Sequence, residues 1–310
     1  MATYSKGQIA RYLQHIKWDD SSQLVPGTLA HLTELVKRQI ATVPFENLTL
    51  HYSPTHRLSL KTEDLYDKMV GRNMGGYCME NNTFFGAVLR SLGYSVVNAG
   101  ARVSDATAGR PGGGFGGWSH MVNLVTIPNE KGEHVKYLVD VGFGYNEPNV
   151  PVALFSGQVT PGTGTTEFRL EYKALPKHTD KSQRVWVFSH RDTAIGPDWT
   201  EAYAFAELEF FPEDYEVMNL STMTQRKSFF LQTLMCVKMT LDEQTGKPNG
   251  WLLLAGDEIK RKTNDGMEVL DKFKNEEQRV EGLKKWFGIQ LTEAEKAGIR
   301  GLSTEIRGFS

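Results

Sequence analysis

Asn73-Met74-Gly75-Gly76-Tyr77-Cys78-Met79-Glu80 runs into Asn81-Asn82-Thr83-Phe84-Phe85-Gly86-Ala87-Val88-Leu89-Arg90-Ser91-Leu92-Gly93, and this stretch decides the reading of the chain. Apolar residues recur at helical spacing from Phe84 to Leu92, and Gly93 stops the pattern. Gly75 and Gly76 permit a tight turn just before it. Cys78 therefore stands at the mouth of a helix. A thiol there faces unpaired backbone N–H groups and the positive end of the dipole, which favour thiolate over thiol. A buried structural cysteine needs none of this, so the placement points to a nucleophile. Cys236, the second cysteine, sits among Leu234, Met235 and Val237 and reads as core.

A cysteine nucleophile needs a base, and the base needs a group to orient it. Trp118-Ser119-His120-Met121-Val122-Asn123-Leu124-Val125-Thr126-Ile127 reads as one strand and His134-Val135-Lys136-Tyr137-Leu138-Val139-Asp140-Val141 as a second. Between them lies the turn Pro128-Asn129-Glu130-Lys131-Gly132. A hairpin centred near Glu130 sets His120 opposite Asp140 on one face, with Cβ atoms roughly 5 Å apart. A slip of one residue would separate the faces. In that register the chain offers Cys78 as nucleophile, His120 as base and Asp140 as orienter.

With these residues in place, the chain resembles the arylamine N-acetyltransferases. The likeness runs through Pro44-Phe45-Glu46-Asn47-Leu48, Gly75-Gly76-Tyr77-Cys78 with Glu80, Arg102-Val103, Ser119-His120 and Asp140-Val141-Gly142-Phe143-Gly144. It continues more loosely in Asn219-Leu220-Ser221-Thr222, Ser228-Phe229 and Trp286-Phe287-Gly288-Ile289. No single piece is decisive; their order and spacing together are specific. The family has an arginine where Met74 stands, tied to the glutamate of the Pro-Phe-Glu-Asn-Leu segment. Arg72 is the nearby candidate for that partnership with Glu46.

The resemblance implies an α+β fold: a helical bundle (1–94) carrying the nucleophile, a β-barrel (95–211) carrying His120 and Asp140, and an α/β lid (212–310). Such a Cys-His-Asp core is shared with cysteine proteases and transglutaminases. It implies transfer of an acetyl or another short acyl group, such as malonyl, from acyl-CoA to an arylamine or arylhydrazine. The expected route is ping-pong through an acyl-cysteine, with acyl-CoA as co-substrate and no tightly bound cofactor. Residues after the aspartate line the pocket in the family, which nominates Gly142, Phe143 and Tyr145.

The organisation of the chain agrees with that plan. Segments up to Gly93 read mostly helical, including His31 to Ile40 and Thr62 to Val70, with Thr62 placed as an N-cap. From Ser95 to Phe211 short strands alternate with turns, as in Arg184-Val185-Trp186-Val187-Phe188. A strand around Leu234 to Met239 and a closing helix from Asn275 to Phe287 follow. The run Gly112-Gly113-Gly114-Phe115-Gly116-Gly117 matches G-x-G-x-x-G, but it opens a strand where a dinucleotide fingerprint opens a helix. It reads instead as a flexible loop whose Arg110 borders the active-site mouth and contacts the acyl donor.

Bulk properties exclude several classes. A net charge of −2, from 35 basic and 37 acidic residues, gives no case for nucleic acid or an anionic membrane. Two cysteines in 310 residues exclude a disulfide framework and favour a reducing, cytoplasmic setting. The start, from Met1 to Gln8, lacks the apolar core of a signal peptide or membrane span. No His or Cys cluster has zinc spacing, so no metal is expected. Glu80 is explained by its place in a helix's first turn. Two other readings share these residues: a cysteine amidase or transglutaminase acting without CoA, and an inactive relative that binds small aromatic ligands.

Overall fold

The computed structural model describes residues 2–18, 23–110, 113–129, 131–263 and 266–308. Helices come first. α1 (Lys6–His15) starts at a capping box in which Ser5 and Gln8 serve each other's backbone, and α2 (Leu29–Thr42) is capped by Thr28. β1 (Phe45–Glu46), α3 (Leu48–Tyr52) and α4 (Thr62–Tyr66) follow. α4 passes directly into a π-turn at Asp67–Gly71. Thr62 is the first helical residue here and makes no side-chain cap; Lys61 precedes it as the capping position. α5 (Cys78–Ser91) completes this part. Its apolar face, with Phe84, Phe85, Val88 and Leu89 buried, packs against Tyr12, Leu32, Leu35 and Val36.

Eight antiparallel strands then form a sheet that curls into a nearly closed barrel. They are β2 (Ser95–Ser104), β3 (Phe115–Pro128), β4 (His134–Val139), β5 (Val152–Ala153), β6 (Val159–Pro161), β7 (Thr166–Lys173), β8 (Val185–Asp192) and β9 (Thr200–Glu209). Their order is β5-β4-β3-β2-β9-β8-β7-β6, so β5 and β6 are the two edges. Ala99, Val122, Leu138, Phe168, Phe188 and Phe205 fill the interior.

α6 (Pro212–Thr224) and α7 (Phe229–Gln232) lead into β10 (Met235–Leu241), β11 (Pro248–Ala255), β12 (Glu258–Thr263) and β13 (Gly266–Lys272). β1 pairs with β10 as the first strand of this second sheet, through Phe45↔Val237 and Glu46↔Cys236. α8 (Glu276–Gly282), a π-turn at Leu283–Phe287 and α9 (Glu293–Gly298) cover it. Cys236 lies in their shared core with Leu254, Ile259 and Phe287. Among the described residues no helix is long and apolar enough to cross a membrane.

Candidate active site

Cys78 is the first residue of α5, and the loop before it is held by β1. The Glu46 N–H donates to the Gly76 carbonyl at 3.0 Å, and the Gly76 N–H to the Pro44 carbonyl at 3.3 Å. The glycine pair is required by crowding. A Cβ on Gly75 would stand 1.8 Å from the Pro44 carbonyl oxygen, and one on Gly76 2.5 Å from the Glu80 Cβ.

His120 lies on β3, and Asp140 directly follows β4. The two strands pair from Asn123↔Val139 to Pro128↔His134. The hairpin is therefore centred on residue 131, one beyond the expected Glu130, which itself lies outside the described residues. Continuing that register puts Asp140 opposite Val122, so His120 and Asp140 are diagonal rather than opposed. The slip in pairing is an even number of residues, which keeps both side chains on one face. Diagonal neighbours remain within reach of long side chains. His120 Nε2 meets Asp140 Oδ2 at 2.7 Å, with both residues buried.

That contact leaves Nδ1 of the ring free of the aspartate, and Cys78 acts electrostatically on the same imidazole. The Cys78 Sγ also lies 3.8 Å from the Ser119 carbonyl. Burial alone would push the imidazole towards neutrality. The negative charge and hydrogen bond of Asp140, with the contribution of Cys78, win over it and raise His120 to about 10. The ring therefore carries a proton at neutral pH.

Asn82 ties the three together. It sits one turn after Cys78 on α5, and its Nδ2 donates to Asp140 Oδ1 and to the Met121 carbonyl, each at 2.8 Å. Its Oδ1 accepts from the Val141 N–H at 3.1 Å and from Asn123 Nδ2 at 3.2 Å. Every hydrogen-bonding capacity of the amide is used. Asp140 Oδ1 accepts further from the Gly142 N–H at 3.0 Å. The rings of Phe143 and Tyr203 pack on His120 with centroids 4.9 and 4.8 Å away. Glu147 is buried nearby, accepts from the Phe143 and Gly144 N–H groups, and is pushed up by burial and by Asp140.

Glu80 does more than complement a helix dipole. It is buried, its Oε2 accepts from the Tyr77 N–H at 3.1 Å, and its Oε1 meets Lys68 Nζ at 2.8 Å. Lys68 Nζ also reaches Glu46 Oε1 at 3.2 Å. The expected partner Arg72 turns away and pairs with Glu295 at 2.8 Å. Met74 is buried in the apolar cluster of the second sheet. The cation beside Glu46 is thus a lysine from the π-turn.

The four candidate binding residues are dispersed. Gly142 abuts Cys78: a Cβ there would lie 2.7 Å from the Cys78 Cα and 2.9 Å from Asn82 Nδ2. Phe143 covers the histidine. Tyr145 faces Trp251 at 5.8 Å and lines an open polar cleft between β7–β8 and β11–β12, with His190 and Lys262. Arg110 is half-exposed and engaged with Asp105 at 2.8 Å. Gly112 of the glycine run lies outside the described residues, and Gly116 and Gly117 already belong to β3. Among the described residues no group of three or more His, Cys, Asp or Glu could hold a metal.

The sequence reading passed over Asn82, Lys68 and Tyr203. Asn82 carried a signal, being a polar residue four positions after the cysteine on the face that α5 buries. Lys68 carried none, because its partners are set by the π-turn and by β1.

A family model described as N-acetyltransferase matches residues 28–296. The chain is 36% identical to N-malonyltransferase FDB2 of Fusarium pseudograminearum, covering 96% of this chain and 92% of that one. It is 28% identical to human arylamine N-acetyltransferase 1, covering 91% and 94%. Its fold matches the arylamine N-acetyltransferase of Mycobacterium marinum, solved in complex with CoA, with a TM-score of 0.75 at 28% identity over 95% of this chain and 99% of that one. The match to the family model over most of the chain, together with a fold and sequence shared along nearly its whole length, makes this protein an acyltransferase of the arylamine N-acetyltransferase family.

Proposed function

We propose that this enzyme moves a short acyl group, malonyl or acetyl, from coenzyme A to an aromatic amine or hydrazine through a thioester on Cys78. The observation that carries the reading is the buried contact of His120 with Asp140, with Cys78 at the first residue of a helix acting on the same ring.

In the first half-reaction His120 holds the proton of Cys78, and the thiolate attacks the thioester carbonyl. Backbone N–H groups at the start of α5, that of Cys78 included, stabilise the oxyanion. The carbon–sulfur bond to CoA breaks, and the departing sulfur takes the proton from His120. In the second half-reaction the amine attacks the acyl-Cys78 carbonyl and His120 accepts its proton. The cysteine sulfur leaves and the amide is released. Asp140 keeps the ring oriented and offsets its charge throughout.

The N-malonyltransferase FDB2 relatives support malonyl as a donor, and the CoA held by the M. marinum enzyme supports a coenzyme A thioester. Gly142 and Phe143 form the wall next to the nucleophile, while Tyr145 and Arg110 extend the binding surface. Initial rates measured over a grid of acyl-CoA and arylamine concentrations test the scheme. Parallel double-reciprocal lines are expected for both half-reactions sharing Cys78, and intersecting lines would refute the acyl-enzyme.

A further inference from the structure

We propose that Lys68 is a positioning residue for the nucleophile: its ammonium clamps Glu46 and Glu80 together, and these two carboxylates hold the backbone that presents Cys78. The inference rests on Cys78 being the reactive group. Glu46 Oε1 accepts from the Gly75 N–H at 3.2 Å, and its Oε2 from the Leu48 N–H at 2.5 Å. Glu80 Oε2 accepts from the Tyr77 N–H at 3.1 Å. The amides on either side of Gly76 are therefore each fixed by a carboxylate. Lys68 Nζ joins those carboxylates at 3.2 and 2.8 Å.

Glu46 and Glu80 are 0% and 1% exposed, and burying a carboxylate without a partner is costly. One ammonium serves both. Burial and the Glu46 charge raise Glu80 to about 7, with Lys68 opposing them. Lys68 itself is raised: burial would lower it, but the two carboxylates outweigh burial. Other groups facing the cluster do not replace it. Arg72 is engaged with Glu295, Cys236 faces Glu46 as a buried thiol, and the Tyr77 hydroxyl bonds to Asn219. Removing Lys68 leaves two buried carboxylates, the Glu80 carboxyl protonates at higher pH, and its grip on the Tyr77 N–H weakens.

The test reads the thiol itself. Second-order rates of iodoacetamide with Cys78, separated from Cys236 by peptide mapping, are measured from pH 5 to 9. Lys68→Met is expected to slow the reaction at pH 7 by about tenfold and to move its acid limb up by about one pH unit. Lys68→Arg, which keeps the charge, is expected to stay within about threefold of wild type. Glu80→Gln keeps an acceptor for the Tyr77 N–H and is expected to flatten the limb near pH 7; it decides the matter where Lys68→Met does not fold. An unshifted profile in Lys68→Met, or a limb unchanged in Glu80→Gln, overturns the proposal. A wild type that alkylates readily yet accepts no acyl group from acetyl-CoA or malonyl-CoA refutes the acyltransferase chemistry and not the clamp.

Discussion

Gly142→Ala adds one methyl group beside Cys78, and the structure sets its cost. The new Cβ would meet the Cys78 Cα at 2.7 Å, Asn82 Nδ2 at 2.9 Å and the Cys78 carbonyl oxygen at 3.0 Å. Ordinary contact begins at about 3.5 Å, so the start of α5 and the segment after Asp140 must part by roughly 0.8 Å. Neither side yields easily. Gly142 is tied to Asp140 by its own N–H, and Asn82 spends all its hydrogen bonds on this junction. Overpacking of this kind costs about 1–3 kcal/mol of stability. A misplacement near 1 Å between reacting groups lowers rates by about 100-fold. The assay is the single-turnover rate of acyl transfer from malonyl-CoA to Cys78, followed by intact mass, with thermal unfolding alongside. Gly196→Ala, where a Cβ meets nothing within 4 Å, is the control. Acylation of Gly142→Ala within twofold of wild type, at an unchanged melting temperature, would refute the steric reasoning.

Asp140→Asn leaves the shape of the site and removes the charge that keeps His120 protonated; acylation is expected to fall about 10³–10⁴-fold, measured in the same single-turnover assay. Asn82→Ala strands the Val141 N–H in the interior and leaves Asp140 Oδ1 with the Gly142 N–H alone, and urea unfolding is expected to show a loss of about 2–4 kcal/mol. His120 is raised in the folded protein from 6.5 to about 10, so its protonation adds stability that is whole below pH 6.5 and disappears as pH climbs through about 10. The gap in urea midpoint between wild type and His120→Gln is therefore expected to narrow steadily from pH 6.5 to 10.

The arrangement of the candidate site is legible in the sequence to the extent that it depends on local pattern. Cys78 at a helix start follows from the apolar spacing of Phe84 to Leu92 and the glycines before it. His120 and Asp140 could be put on one face because strand side chains repeat every two residues; the hairpin centre was off by one residue, and the face survived. What is invisible in the sequence is set by contacts between distant segments. β1 is two residues long and shows no periodicity, yet it joins the cysteine loop to the second sheet. Lys68 lies at a π-turn, where helical spacing gives no guide to its direction, and Arg72 was the nearer basic residue by sequence alone. Gly142 is nominated from the sequence as a lining residue, and its close packing against the start of α5 shows only in the fold.

The central claim is that Cys78 carries the acyl group. Intact-protein mass after mixing with malonyl-CoA, and separately with acetyl-CoA, in the absence of amine tests it most directly. The account predicts a gain of one acyl group that is absent in Cys78→Ala and is discharged by an added arylamine. A protein that gains no acyl group from either donor while Cys78 still alkylates, or one whose adduct persists in Cys78→Ala, would contradict it.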